Sequence, residues 1–234
     1  MLNENYSKSI VPDQLKLWDA QHSIRGYSGI EAYALRDKPN NSAIIFNSYL
    51  NQTPSNILEI GCANGRDARY WASLGHIVIC ADFSSVALSQ LHEIAQEQGV
   101  RHYLQPVLHD ISTGKLPDIG DIPIHGFYSR SSLHVDDETM ISIAREINER
   151  VAPSSPILIE GKGAQDHKIK RSIPVAENLV VDHFENGHLR RVWTKNFLTK
   201  ICNIFKWDIQ SLEKIEEKYN GNTMNFLRLV ARKN

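Results

Sequence analysis

Residues 56–82 read NILEIGCANGRDARYWASLGHIVICAD, and this stretch decides the fold of the chain. It predicts a buried strand, a turn that contains Gly61 and Gly65, a short helix, and a second apolar strand that ends at Asp82. Small residues in the turn allow the backbone to bend sharply and a ligand to approach it closely. A carboxylate about twenty residues further on can accept hydrogen bonds from both hydroxyls of a ribose. The stretch therefore predicts an adenosine-binding site.

The small residues of this turn argue against a dinucleotide ligand. A dinucleotide fingerprint requires small residues at its first, third and sixth positions, so that a pyrophosphate can lie at the helix N-terminus. Here the first and third are Gly61 and Ala63, but the sixth is Arg66, which is too bulky for close packing of the helix on the strand. Glu59, two residues before Gly61, would repel a pyrophosphate. It suits a ligand that carries an ammonium and a sulfonium.

The spacing Glu-x-Gly-x-Ala-x-Gly at residues 59–65 resembles the first motif of the class I S-adenosylmethionine-dependent methyltransferases. Residues 65–84, GRDARYWASLGHIVICADFS, are similar to the small-molecule branch that is related to tellurite-resistance and thiopurine methyltransferases. Ala63 stands where the commonest version of the motif has glycine. The resemblance covers residues 55–135 and implies that S-adenosylmethionine is the cofactor.

Composition and charge narrow the class of protein. The 234 residues contain 26 Lys and Arg against 27 Asp and Glu, so no net basic charge points to nucleic acid. The longest apolar stretches have the length of a strand, and the N-terminus lacks the features of a signal peptide. Three cysteines without a close pair argue against a disulfide framework and a zinc site. We expect a cytoplasmic monomer or homodimer that binds neither nucleic acid, membrane nor metal.

The rest of the chain continues the alternation of strands and helices. This alternation predicts an α/β fold with a Rossmann-like, doubly wound, mostly parallel sheet that helices cover on both faces. We expect seven strands, and the resemblance implies that the last one is antiparallel. After the first two, they are predicted near residues 102–108, 125–129, 157–159, 207–212 and 224–232.

Two segments stand outside this alternation. Residues 1–50 carry two predicted helices, around Leu15–Trp18 and Ala43–Phe46, and precede a methyltransferase domain over residues 51–234. Within that domain, residues 161–192 form an insertion with a predicted hairpin around Asn186-Gly187. Additions at the carboxyl ends of strands in such sheets often form lids, so we expect both segments to cover the substrate. The alternative is an insertion that only decorates the surface.

The resemblance also implies which residues hold the cofactor. Glu59 and the backbone of the glycine turn surround the methionine portion, Asp82 accepts from the ribose, and Phe83 covers the adenine. Asp110 accepts from the adenine amino group, although an ordinary turn role is the alternative for it. Core packing is the corresponding alternative for Phe83. The full predicted set is Glu59, Gly61, Cys62, Ala63, Gly65, Asp82, Phe83, Asp110, Ile111 and Ser129.

Residues 127–134, FYSRSSLH, resemble the fourth motif of the family, which faces the transferred methyl group. Two catalytic roles are predicted there: His134 as a base for a hydroxyl, and Arg130 as a partner for an anionic acceptor. A packed, hydrogen-bonded histidine is the alternative for His134. The predicted substrate-binding residues are Tyr27, Arg130, Lys162 and His183, although polar residues on loops are more often solvated than functional.

These features together predict methyl transfer from S-adenosylmethionine to an oxygen or nitrogen atom of a small molecule, with an anionic acceptor as the working hypothesis. The reaction requires an in-line nucleophile and exclusion of water, and a general base only if the acceptor arrives protonated. Two alternatives stay open at this point. One is an RNA or protein methyltransferase with the same core, and the other is a non-catalytic partner that binds the cofactor.

Overall fold

The computed structural model describes residues 12–23, 38–51, 54–219 and 222–234. Seven α-helices occur in these ranges: α1 Gln14–Ser23, α2 Asn41–Tyr49, α3 Arg66–Ser73, α4 Ser85–Glu97, α5 Asp137–Arg150, α6 His167–Arg171 and α7 Lys195–Phe205. The same ranges contain ten strands: β1 Asn56–Ile60, β2 Ile77–Asp82, β3 Leu104–Leu108, β4 Gly126–Arg130, β5 Pro156–Lys162, β6 Ile173–Ala176, β7 Leu179–Asp182, β8 His188–Arg191, β9 Asp208–Tyr219 and β10 Asn222–Arg232.

Seven of the strands form one sheet, in the order β3-β2-β1-β4-β5-β10-β9. Strands β1 to β5 are parallel to one another, whereas β10 runs antiparallel to both β5 and β9. This confirms the predicted Rossmann-like sheet, mostly parallel with an antiparallel last strand. Strand β1 lies between β2 and β4, so the strand order reverses at β1. Ligands bind at the carboxyl ends of strands where the order reverses in this way.

Alternating side chains of the parallel strands build a core on each face of the sheet. Leu58, Phe127 and Ile159 are buried against α5 and α7. Their neighbours in the chain, such as Ile57 and Tyr128, are buried on the other face with Phe46 of α2, Trp71 of α3 and Leu91 of α4. Since both faces of the parallel strands are covered, apolar residues predominate on both faces of these strands rather than on alternate positions.

Glycine is required in the turn between β1 and α3. Gly61 and Gly65 have φ values of 73° and 76°, in the left-handed region that favours glycine. A Cβ atom on Gly65 would lie 2.6 Å from Cδ1 of Leu91, so this glycine also allows α4 to pack closely against the turn. Ala63, between the two glycines, adopts a left-handed φ of 49° as well.

Residues 173–191 form a separate sheet of three antiparallel strands, in the order β6-β7-β8. The β7–β8 connection contains Asn186 and Gly187, both with positive φ, as the predicted hairpin requires. The two predicted N-terminal helices are also present as α1 and α2. Helix α1 packs on β8 and on α4, above the carboxyl edge of the main sheet.

No helix within residues 12–23, 38–51, 54–219 and 222–234 is long and apolar enough to cross a membrane. The same residues contain no group of three or more His, Cys, Asp or Glu side chains that could hold a metal ion.

Candidate functional site

A cavity of about 440 Å³ lies at the carboxyl edge of the main sheet. Its floor comes from residues at the ends of β1 and β2 and from the loops that follow β3 and β4. Its roof comes from α1 and from Leu189 of β8. The cavity therefore lies at the position in the fold where the sequence predicts a ligand.

Asp82, at the end of β2, organises the floor of the cavity. Its Oδ2 accepts a hydrogen bond from the backbone N–H of Ala63 at 2.9 Å, and its Oδ1 accepts one from the backbone N–H of Ser84, also at 2.9 Å. Burial raises the pKa of Asp82, although the two backbone donors act in the opposite direction. Because the carboxylate lines the cavity, it is available to accept from a ribose.

Gly61 brings the turn after β1 against the loop after β4. Its N–H donates to the carbonyl oxygen of Ala81 at 2.7 Å. A Cβ atom on Gly61 would lie 2.0 Å from Cβ of Ser132, so no side chain fits at this position. Ser132 in turn donates to the carbonyl oxygen of Ile60 at 2.6 Å and pairs with the hydroxyl of Ser129. Ser129 thus supports the loop from behind and does not line the cavity.

Two buried acceptors beside this turn have no hydrogen-bond partner among the described residues. They are Oε2 of Glu59 and Oδ1 of Asn64. Burial, with the neighbouring charge of Asp67, raises the pKa of Glu59 well above its usual range. A cationic ligand group would supply the missing donors and favour the ionised carboxylate. Asp82 lines the cavity, where it is placed to accept from a ribose, whereas Glu59 and Asn64 are buried beside the turn and do not line it.

The loop after β3 supplies the opposite end of the floor. Phe83, Asp110 and Ile111 line the cavity there, as the resemblance implies. Oδ1 of Asp110 accepts from the backbone N–H of Ser112 at 2.9 Å, which is the turn role considered as the alternative. A carboxylate has lone pairs for both a turn and a ligand, so the two roles are compatible. Of the other predicted cofactor residues, Glu59, Cys62 and Gly65 do not line the cavity.

Helix α1 and the β7–β8 hairpin are joined above the cavity, and we call this pair of elements the roof. The side-chain amide of Gln14 donates to the carbonyl oxygen of Gly187 at 3.1 Å and accepts from the N–H of Leu189 at 2.9 Å. One helical turn further on, the rings of Trp18 and His188 lie 4.8 Å apart. Gln21 pairs with the same histidine at 2.8 Å.

The roof also reaches the floor beside Asp82. Ser84 Oγ donates to Asp19 of α1 at 2.5 Å, and His22 of α1 lines the cavity. Burial lowers the pKa of His22, whereas the charge of Asp82 acts to raise it. The charge of Asp82 thus acts on His22 of the roof as well as on the backbone of the turn.

His134 lies in the cavity wall as predicted, but its chemistry differs from that of a base poised at neutral pH. Its Nδ1 accepts from the backbone N–H of Arg191 at 3.3 Å, and its buried Nε2 has no partner among the described residues. Burial and the charge of Arg190 lower the pKa of His134 to about 3. The imidazole is therefore neutral at physiological pH and only a weak base.

Arg130 requires a correction, because the structure places it away from the cavity. Its guanidinium pairs with Glu160 at 2.6 Å and with Glu217 at 2.8 Å, and it lies 4.8 Å from the centre of the Phe226 ring. Glu160 also accepts from Arg228 at 2.7 Å. Burial alone would raise the pKa of Glu160, but the two arginines lower it. Arg130 belongs to this ion-pair network and does not face an acceptor in the cavity.

The other predicted substrate residues also lie elsewhere. Lys162 pairs with Asp166 at 3.1 Å and lies over the ring of Phe226, and burial lowers its pKa to about 8. His183 is exposed at the turn of the hairpin, and neither residue lines the cavity. Tyr27 lies outside the described residues. The cations on which an anionic acceptor was predicted are therefore absent from the described cavity wall.

Several residues that line the cavity were not singled out from the sequence. Trp18, His22 and Leu189 belong to the roof, and Ser131 belongs to the loop after β4. Ser131 has a φ of 56°, an unusual backbone conformation for a residue with a side chain. The only sequence signal for the roof residues was the general expectation that both added segments cover the site.

Comparison with known proteins agrees with this geometry. Residues 57–154 match a family model described as a methyltransferase domain. No curated protein sequence matches the chain.

Solved structures share the fold at low sequence identity. An S-adenosylmethionine-dependent methyltransferase from Methanosarcina mazei is 19% identical with a TM-score of 0.68, over 81% of this chain and 96% of that one. The 1,6-didemethyltoxoflavin-N1-methyltransferase of Burkholderia thailandensis was solved with 1,6-didemethyltoxoflavin and S-adenosylhomocysteine. It is 17% identical with a TM-score of 0.66, over 100% of this chain and 92% of that one. TehB from Haemophilus influenzae is 17% identical with a TM-score of 0.62, over 83% of this chain, which spans 62% of TehB. The match identifies residues 57–154 as a methyltransferase domain, and the chain shares its fold with S-adenosylmethionine-dependent methyltransferases of known structure.

Proposed function

We propose that this methyltransferase acts on an oxygen or nitrogen atom of a small molecule that binds under the roof. The observation that carries the proposal is the continuity of one cavity from Asp82 to His134, beneath Trp18 and Leu189. Its volume of about 440 Å³ falls within the usual range for small-molecule sites. Helix α1 packs on both α4 and β8, and the roof that it forms with the hairpin limits access for a folded protein or a nucleic acid strand.

Different residues of the chain hold different parts of the cofactor. Asp82 accepts from the ribose, Asp110 from the adenine amino group, and Phe83 and Ile111 cover the adenine ring. Glu59, buried beside the turn, favours the positive charge of the methionine portion. When bound, S-adenosylmethionine supplies an electrophilic methyl group, and the reaction breaks its C–S bond, forms the bond to the acceptor atom and releases any acceptor proton to water.

The protein contributes mainly position and the exclusion of water. The roof shields the reacting atoms, and the loop after β4 is held in place by Ser132 and by the N–H of Ser131, which donates to the carbonyl oxygen of Glu160 at 2.8 Å. Holding two reactants in line can contribute about 7–11 kcal/mol to lowering the barrier. Since His134 is a weak base, we do not assign it proton abstraction.

Incubation with methyl-labelled S-adenosylmethionine and an extract of the host cells tests the proposal. The extract is separated into small molecules, RNA and protein, and the Asp82→Ala variant serves as the control for cofactor-dependent labelling. We expect label in the small-molecule fraction alone. Label in RNA or protein would contradict the proposed acceptor class. No label anywhere, with S-adenosylhomocysteine still bound, would point to a non-catalytic cofactor-binding protein.

A further inference from the structure

Ser131 is the first residue after β4, and it lines the cavity. Its φ of 56° lies in the left-handed region, which is uncommon and unfavourable for a residue with a Cβ atom. Backbone conformations of this kind persist only where the surrounding structure holds them, and they cluster at active sites and ligand clamps. The conformation of Ser131 therefore points to a role in the cavity.

Contacts on both sides of Ser131 hold this conformation. Its N–H donates to the carbonyl oxygen of Glu160 at 2.8 Å. The guanidinium of Arg130, just before it, pairs with the carboxylate of the same Glu160 at 2.6 Å. The hydroxyl of Ser132, just after it, donates to the carbonyl oxygen of Ile60 at 2.6 Å. Because the chain is fixed immediately before and after Ser131, the direction in which its side chain projects is fixed as well.

The serine hydroxyls at this end of β4 have different uses. Those of Ser129 and Ser132 pair with each other at 2.6 Å, and Ser132 also donates to the backbone of β1, so these two groups hold the loop. Ser131, in contrast, is half-buried and lines the cavity. A hydroxyl offers one donor and two acceptor lone pairs, so this side chain can form a hydrogen bond with a ligand.

The position of Ser131 relative to the cofactor residues points to the acceptor as that ligand. Asp82 and Asp110, which we assign to the ribose and the adenine, follow β2 and β3, whereas Ser131 follows β4 on the other side of β1. The turn after β1, where the resemblance places the methionine portion, lies between them. Ser131 thus lies at the end of the cavity where we expect the sulfonium. The oxygen lone pairs of a neutral hydroxyl are compatible with that positive charge.

We propose that Ser131 binds and orients the methyl acceptor, and that its hydroxyl oxygen accepts a hydrogen bond from the N–H or O–H group that is to be methylated. This bond turns a lone pair of the acceptor atom towards the methyl group, as in-line attack requires. The C–S bond breaks as the new C–N or C–O bond forms, the acceptor proton goes to water, and Ser131 keeps its own proton. The inference rests on the proposed function and narrows the acceptor to an amine, an amide or a hydroxyl compound.

Ser131→Ala tests the hydroxyl, because it keeps the Cβ atom. The small-molecule fraction of the host-cell extract, diluted until the rate is proportional to its amount, is incubated with methyl-labelled S-adenosylmethionine. We expect the rate to fall at least tenfold, while calorimetric affinity for S-adenosylhomocysteine stays within about twofold of the parent protein. An unchanged rate, or an equal loss of cofactor affinity, would overturn the inference and leave the proposed function intact. No transfer by the parent protein would overturn the proposed function, and this inference with it.

Two further variants separate the hydroxyl from the backbone conformation. Ser154 is a matched control, because it also has a left-handed φ, of 59°, and its N–H also donates to a backbone carbonyl, that of Lys233 at 2.7 Å. It is exposed and lies outside the cavity, so Ser154→Ala should keep the rate of the parent protein. Ser131→Gly relieves the strain but lacks the hydroxyl, and it should lose as much activity as Ser131→Ala. Parent-like activity in Ser131→Gly, or an equal loss in Ser154→Ala, would overturn the inference.

Discussion

The carboxylate of Asp82 holds the backbone of Ala63 in place: Oδ2 accepts from the Ala63 N–H over 2.9 Å, across 19 residues of sequence. Ala63 has a φ of 49°, and this left-handed conformation costs a residue with a Cβ atom about 1–2 kcal/mol. Backbone strain of this kind is typical of turns that present their backbone to a ligand. Asp82 therefore shapes the turn in addition to the ribose-binding role that we propose for it.

Replacing Asp82 with Ala should weaken cofactor binding by at least tenfold. Hydrogen bonds to charged groups contribute about 1.5–3 kcal/mol each, and about 1.4 kcal/mol corresponds to a factor of ten. Isothermal titration with S-adenosylhomocysteine measures the change. Asp118→Ala is a matched control, because Asp118 accepts from a backbone N–H two residues ahead, as Asp82 does, but lies outside the cavity. Unchanged affinity in Asp82→Ala would contradict the assignment of the ribose site.

Ala63→Gly should leave the free energy of unfolding unchanged or raise it by up to about 1 kcal/mol. Glycine removes the strain of the left-handed conformation, and the greater entropy of the unfolded chain offsets part of this gain. Ala20→Gly is the control, since Ala20 is exposed inside α1. There the same change should cost up to about 1 kcal/mol. Urea denaturation compares the two, and equal losses would show that Ala63 is not strained.

Arg130→Ala should destabilise the protein by about 3–5 kcal/mol, because it leaves the buried Glu160 and the partly buried Glu217 without this partner. Lys115→Ala removes the exposed partner of Glu146 and should cost less than about 1 kcal/mol. Chemical denaturation separates the two cases. If Arg130→Ala kept its stability and lost only turnover, the arginine would have the catalytic role that the ion pairs argue against.

Gln14→Ala should loosen the roof without unfolding the core. The change removes two hydrogen bonds to the hairpin, each contributing about 0.5–1.5 kcal/mol. Amide hydrogen exchange in α1 should accelerate roughly tenfold, while exchange in β1 and β4 stays unchanged. Lys16→Ala, on the same helix but with a side chain that is 86% exposed, should have no such effect. Equal exchange in both variants would mean that Gln14 does not join α1 to the hairpin.

His134 should make the stability of the protein depend on pH. Its pKa is about 3 in the fold and 6.5 in an ordinary environment, so the unfolded chain binds more protons between these values. Stability should therefore fall as pH is lowered from 6.5 towards 3. Between about pH 7 and about pH 5 this one residue should account for roughly 2 kcal/mol.

Urea denaturation at the two pH values, for the parent protein and for His134→Gln, measures this contribution. The variant should lose less stability on acidification than the parent by that amount. His188, with a pKa of about 4, keeps part of the pH dependence in both proteins. The exposed His183→Gln is the control and should behave like the parent. An identical pH dependence in His134→Gln and the parent would contradict the buried, neutral state of His134.

The sequence was sufficient for the parts of the site that depend on local chemistry. Gly61, Ala63, Asp82 and Phe83 lie within 23 residues of one another, and the requirement for a tight turn and a following acid is legible in that short span. All four line the cavity. The same local pattern predicted the sheet, because strands that are buried on both faces consist mainly of apolar residues.

The role of Arg130 depended on partners that the sequence does not bring together. Glu217 is 87 residues away, and it reaches Arg130 only because β10 pairs with β5 and β9 follows β10 at the edge of the sheet. Alternation along β4 does place Arg130 on the same face as Tyr128, away from the α5 side. Trp18 shows the same limitation, since its position on α1 suggests an ordinary packed helix face until β8 is placed beside it.

The joint between Gln14 and Leu189 spans 175 residues of chain, and this separation has a consequence for biosynthesis. Helix α1 leaves the ribosome before the main sheet does, and its hydrogen-bonding partners on the hairpin are made only after strands β1 to β5. Until then its apolar side chains have no hairpin to pack against. The cavity is thus enclosed only once residue 189 has been made, and a chain that stops before residue 188 lacks the hairpin half of the roof.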